Sequence, residues 1–199
     1  MHGKQINGSL CGVKKGATQS KQREEKTMDR VLDEYDATQI VGLSTIVCGA
    51  AIFDEDADTI EVPKLRELMV TAAVARCLMP IRLRGFEIRA VRKIMRYTLA
   101  ELAKKMSEQT ATETMSRWES DAQPMGGFAE KILRLVACEV LATEAPGIEY
   151  KGAMIADMIV VDPWRTDPAF EVPPVVLSLV KMKEKSGSII NAWDLKRAA

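Results

Sequence analysis

The sequence predicts a mainly α protein: a central helical bundle with a small α+β appendage on its N-terminal side and a β-rich one on its C-terminal side. Three observations predict it. From Arg84 to Leu141 apolar residues recur at helical spacing, segment after segment, with short polar connections. Upstream, "QIVGLSTIVCGAAIFDEDADTIEVP" sets short apolar runs around an acidic turn and leads into one helix. Downstream of Pro146 and Gly147 the text becomes rich in Val and Ile. The expected organisation is a flexible basic tail (1–33), a β-hairpin plus helix for dimerisation or partner binding (34–80), a helical domain (81–143) and a small β-rich segment (144–199).

The chain has 199 residues, 47% of them hydrophobic and 28% charged, which suits one ordinary domain with a tail. No apolar run approaches the ~18–20 residues of a membrane span, and the N-terminus has no apolar signal core, so a cytoplasmic protein with no membrane association is expected. The zero net charge hides segregation. Residues 1–30 carry seven basic and three acidic groups, 31–80 three and nine, 81–134 eleven and seven, and 135–199 seven and nine. The stretch 82–106 alone has eight basic against two acidic groups, as a polyanion-facing module needs.

The first thirty residues are poor in large apolar side chains, hence the tail. Within the hairpin, Asp54, Asp56 and Asp58 alternate as at the start of a calcium loop. That loop needs Gly at its sixth position and Glu at its twelfth, where Thr59 and Leu65 stand, so a solvated turn is expected instead. Pro63 is expected to open a helix running to about Met79, with Pro80 ending it. Cys11, Cys48, Cys77 and Cys138 show no CxxC spacing, and His2 is the lone histidine, so no metal site and no cofactor is predicted. Cys77 and Cys138 sit in apolar helical runs as small buried hydrophobes.

In the centre, "GFEIRAVRKIMRY" buries Phe86, Ile88, Val91, Ile94 and Met95. "TLAELAKKM" opens on Thr98 with Glu101 three residues on, a capping box, and its Leu99, Leu102, Ala103 and Met106 form one stripe. A polar turn, "SEQTA", leads to "TETMSRWES", and "QPMGG" separates that from "FAEKILRLVACEVLA". Beyond Gly147, "AMIADMIVVD", "PPVVLSLVKMK" and "GSIINAWDL" make the β-rich part, with Trp164 and Trp193 as local core.

The second and third central helices meet the needs of a helix-turn-helix. Ala103 allows close approach, and Met115 and Trp118 face inward. The outer face presents Thr112, Glu113, Ser116 and Arg117, with Gln109 and Thr110 at its N-terminal end and Thr98 at the start of the preceding helix. Arg pairs with guanine O6/N7 and Glu accepts from cytosine N4, while hydroxyls and a helix N-terminus suit phosphate. The plainer alternatives are surface charges at Arg117 and Glu119 and a helix cap at Thr112.

These motifs, "EIRAVRK", "TLAELA" and "ETMSRWES", resemble the Cro/repressor-like (XRE) helix-turn-helix, in the version carried by MqsA/YgiT-type antitoxins. The resemblance spans about residues 35–142 and is most specific over 84–125. It implies a repressor-like bundle, a homodimer, autoregulatory repression at an inverted-repeat operator in double-stranded DNA, and base contacts from Glu113 and Arg117 with Ser116 and Thr112 beside them. The zinc-binding CxxC pairs of those antitoxins are missing, so the N-terminal part is expected to be metal-free. "SEQTA" is longer than the family's usual turn and lacks its glycine. The alternative function is a protein-interaction module, antitoxin-like or antiactivator-like, that holds a protein partner with a retired helix-turn-helix. An enzyme is not expected: no usable histidine, nucleophile elbow, phosphate loop or carboxylate pair is present.

Overall fold

The computed structural model describes residues 29–183 and 187–196. Residues 1–28, most of the expected tail with Cys11 and His2, lie outside the described residues, and so does 184–186. The chain runs through β1 (Arg30–Val31), β2 (Glu34–Asp36), α1 (Thr38–Val41), β3 (Thr45–Cys48), β4 (Ile52–Asp54) and β5 (Thr59–Glu61). Then come the helices α2 (Leu65–Leu78), α3 (Gly85–Ile94), α4 (Leu99–Met106), α5 (Thr112–Glu119), α6 (Gly127–Leu141) and α7 (Gly152–Ala156), and last β6 (Val175–Lys183) and β7 (Ile189–Leu195).

The mainly α expectation is overturned: the described residues form a mixed α/β fold, 42% helical and 20% strand, with seven helices and two sheets. The reason lies in a long-range pairing. β3 lies parallel to β6, with Thr45 opposite Val175 and Cys48 opposite Ser178, inside a four-stranded sheet ordered β2-β3-β6-β7. The two appendages expected from composition thus share one sheet. A parallel pair needs a crossover, and here every helix from α2 to α7 lies within it. α2 packs on β6 and β7 and also against α6, which joins the sheet to the helices in one core.

Locally the elements follow the residues. β1-β4-β5 is a second, small sheet, and Asp54 forms its turn by accepting from the backbone N–H groups of Asp56 and Ala57 at 2.9 and 3.0 Å. Gln39 to Val41, expected as strand, belong to α1, which ends on Gly42 at φ 77°. α2 starts at Leu65, two residues after Pro63, with Lys64 in the left-handed region at φ 49°. The "AMIADMIVVD" stretch supplies α7 and a single bridge, Ile81 to Val161, in place of a strand.

Free sheet edges invite unwanted pairing, and β7 is covered at its middle. Lys64 Nζ donates to the Asn191 carbonyl, Glu67 Oε1 accepts from Trp193 N–H at 3.0 Å, and Trp193 Nε1 donates to the Lys64 carbonyl at 3.3 Å. The Trp193 side chain is fully buried. Trp164 is half-buried, with the Arg84 guanidinium 5.0 Å above its ring and Phe170 edge-on to it at 5.7 Å.

The linker between α2 and α3 is held by two buried arginines. Arg134 of α6 donates to the carbonyls of Cys77 (2.8 Å), Met79 (2.6 Å) and Ile81 (2.6 Å) and to Glu130 Oε1 (2.7 Å). Arg76 donates to the carbonyls of Ile81 and Arg82 and pairs with Glu87 at 2.6 Å. These side chains are 0–1% exposed. They satisfy carbonyls left without helical partners after Pro80 breaks the chain. Cys77 on α2 and Cys138 on α6 are buried and free.

α4 begins as its sequence requires. Thr98 Oγ1 accepts from Glu101 N–H at 3.2 Å, and Glu101 Oε2 accepts from Thr98 N–H at 2.7 Å. The Thr98 N–H foremost, and the Thr98 hydroxyl donating to the same oxygen, hold the Glu101 carboxyl below the usual carboxylate range. Thr98→Ala is expected to cost about 1 kcal/mol, a fall of roughly 2–4 °C in Tm for a chain of this size. A melting curve unchanged by the substitution would show that the cap contributes nothing.

Candidate nucleic-acid interface

The α4–turn–α5 unit is held together from its inner side. Met115 is fully buried and Trp118 is 8% exposed, so the two apolar residues three apart fix which side of α5 faces the core. Burial of side chains this size contributes roughly 1.5–3 kcal/mol each. The C-terminal end of α5 is fastened by charge. Glu119, at 5% exposure, accepts from Arg92 Nε at 2.5 Å and Nη2 at 2.9 Å, and Arg89 approaches it at 3.4 Å. Hydrogen bonding to Glu119 raises the Arg92 guanidinium above its ordinary range. Just beyond, Asp121 Oδ1 accepts from Gly85 N–H at 2.8 Å, and a Cβ on Gly85 would stand 2.7 Å from the carbonyl oxygens of Trp118 and Glu119. Thus α3 and α5 meet backbone to backbone where only glycine fits.

With the inner side so fixed, the outer side is decided. Glu113, Ser116 and Arg117 are exposed and adjacent at i, i+3 and i+4. Neither Glu113 nor Arg117 forms an ion pair among the described residues, so both heads are available to a partner. Thr112 is half-buried at the first turn, and the N-cap is Ala111, whose side chain makes no capping bond. The N–H groups of Thr112 and Glu113 are therefore left for an outside acceptor, while Thr114 N–H donates to the Ala111 carbonyl at 3.1 Å. In the long turn, Gln109 is exposed and Thr110 half-buried. Gln109 Oε1 accepts from Ser107 Oγ at 2.7 Å and Thr110 N–H donates to the Ser107 carbonyl at 3.1 Å. The extra length of "SEQTA" is thus taken up in a compact hydrogen-bonded turn, and α5 still starts at Thr112. Thr98 is exposed, yet its hydroxyl is engaged in the α4 cap, donating to Glu101 Oε2 at 2.8 Å.

The structure therefore brings Thr112, Glu113, Ser116 and Arg117 onto the first two turns of one helix, next to Gln109 and Thr110. Glu119 departs from the surface-charge alternative and serves as the fastening of α5. No local signal marks this role, since its partner Arg92 lies 27 residues away in the chain. Exposed Lys104 and Lys105 close α4, with no ion pair among the described residues. No helix of the described residues is long and apolar enough to cross a membrane.

Comparison with known proteins agrees with this unit. Residues 83–140 match the family model described as Aca2/YdiL-like, a helix-turn-helix-like family of regulatory, antitoxin-like domains. The matched span runs from two residues before α3 to one residue short of the end of α6 and leaves the sheets outside it. The resemblance read from the residues thus holds at the level of a regulatory helix-turn-helix-like domain. No curated protein matches the chain, and no solved structure does.

Proposed function

We propose that the chain is a sequence-specific, double-stranded-DNA-binding transcriptional regulator of the Cro/repressor-like kind, a homodimeric repressor that reads an inverted repeat upstream of its own gene. One observation carries this reading: an eight-residue helix locked by Met115, Trp118 and Glu119 on its inner side presents unpaired Glu113 and Arg117, with Ser116 between them, on its outer side. An interface helix needs both halves. A rigid inner face sets the depth and angle of entry into the major groove, and bidentate-capable heads on the outer face read base edges. Thr112 and the uncapped start of α5, with Gln109 and Thr110, supply hydrogen bonds to phosphate. The basic excess of 82–106 supplies the salt-sensitive attraction.

The test is a gel shift on the DNA upstream of the gene, repeated at rising salt. A specific complex that weakens steeply with salt is expected. Arg117→Ala should lower specific affinity by about 1–3 kcal/mol, roughly 5- to 150-fold, while non-specific binding and the melting temperature stay in place. If Arg117→Ala leaves the specific complex untouched, α5 is not the reading helix.

A further inference from the structure

A groove of about 360 Å³ lies between α1 and α3, away from the predicted reading residues. Its floor is apolar, with Ile40, Val41, Met69 and Phe86, and its rim is cationic, with Arg89 and Lys93. Phe86 is 58% exposed and Ile40 39%, although the spacing of α3 led us to expect Phe86 in the core. Lys93 forms no ion pair among the described residues. An apolar floor with a positive rim fits an acidic segment that also carries an exposed apolar side chain.

This chain carries such a segment. The β4–β5 hairpin places Asp54, Glu55, Asp56, Asp58 and Glu61 within eight residues, with Ile60 38% exposed beside them. Glu55, Asp58 and Glu61 form no ion pair among the described residues. The two features stand at opposite ends of one antiparallel ribbon. At one end Asp36 pairs with Ile46 next to α1, and at the other Arg30 pairs with Phe53 next to the acidic turn. Thr45 and Asp54 are joined by β3, the bent Gly49–Ala51 connection and β4, at most on the order of 30 Å at strand rise, and pairing to β2, Asp33, Leu32 and β1 along the way holds the tip at the far end from its own groove. A two-fold axis across the ribbon brings each acidic tip onto the partner's cationic groove and keeps like charges apart. That reciprocity is what an isologous interface requires.

We propose that a second copy of this chain docks here, the acidic β4–β5 hairpin of each protomer lying in the Ile40/Phe86/Lys93 groove of the other. This rests on the dimeric reading above and gives that dimer its interface, but its test needs no DNA. Sedimentation velocity of the full chain over a concentration series should give a reversible dimer. Lys93→Glu should raise the dissociation constant at least about tenfold, because the reversal counts at both symmetry-related contacts, and Glu55→Lys should do the same. Both substitutions in one chain should restore the dimer to within about threefold of the parent, since each reversed groove then meets a reversed tip. An unchanged far-ultraviolet circular dichroism spectrum shows that the single variants are folded, since the melting temperature itself falls when a dimer weakens. A monomer at every concentration, a dimer indifferent to both single reversals, or a double variant no better than the singles would each overturn the proposal. A monomer that still binds its operator specifically would overturn this interface and leave the DNA reading standing; a charge-swappable dimer with no specific DNA complex would do the reverse.

Discussion

Arg134→Met is expected to lower the unfolding free energy by about 3–5 kcal/mol, up to half or more of the ~5–15 kcal/mol typical of a domain. Methionine keeps most of the volume and the aliphatic stem of arginine, so little of the loss comes from packing. It comes from what is left behind. Glu130, 1% exposed, keeps the Leu83 N–H at 2.9 Å and Arg82 at 4.0 Å but loses its closest cation, and the carbonyls of Cys77 and Met79 lose their Arg134 donor, while Ile81 keeps the one from Arg76. Unsatisfied buried acceptors cost about 1–3 kcal/mol each. Urea unfolding monitored by circular dichroism measures the effect as a shift in midpoint at constant slope. A loss below about 1 kcal/mol would mean that the pair contributes little beyond filling space. A double-mutant cycle with Glu130→Gln separates the ion pair from the carbonyl contacts.

Gly147→Ala is expected to cost at least about 3 kcal/mol, the upper end of overpacking penalties, although the residue has no special backbone conformation. A Cβ there would stand 2.0 Å from the Trp193 carbonyl oxygen and 3.1 Å from the Asp194 Cα. Both are backbone, so no rotamer change relieves the clash. Either β7 moves away from the helices or the 145–148 turn does. Moving β7 draws Trp193 out of the core and strains its bonds to Glu67 and Lys64. The same unfolding experiment reads it, and Gly126→Ala is the control, since a Cβ at Gly126 meets nothing within 4 Å. Equal midpoints for the two variants would mean that β7 is not seated against this turn.

The two variants probe the parts of the molecule that were least legible in its sequence. The segment 84–141 was read correctly as helices because its information is local. Thr98 and Glu101 cap one helix within four residues, and Met115 and Trp118 mark one face at a spacing of three. Sequence also drew attention to the outer residues of α5. It treated Glu119 as a surface charge, however, because a charged residue is buried only when a distant partner is provided, and Arg92 lies 27 residues away. The burial of Arg76 and Arg134 is not legible in the sequence for the same reason. The carbonyls they serve belong to a linker whose path is not written in its own residues.

Sequence by itself determined the central helices, the α4 cap, the apolar face of α5 and therefore its opposite, exposed face, since each of these depends on residues within a turn or two. Only the tertiary structure decided that the two β-forming ends are one sheet. Their Val- and Ile-rich runs are compatible with many pairings. The parallel register of Thr45 with Val175 goes with the packing of α2 on β6, β7 and α6, which holds β3 and β6 side by side across the whole helical crossover.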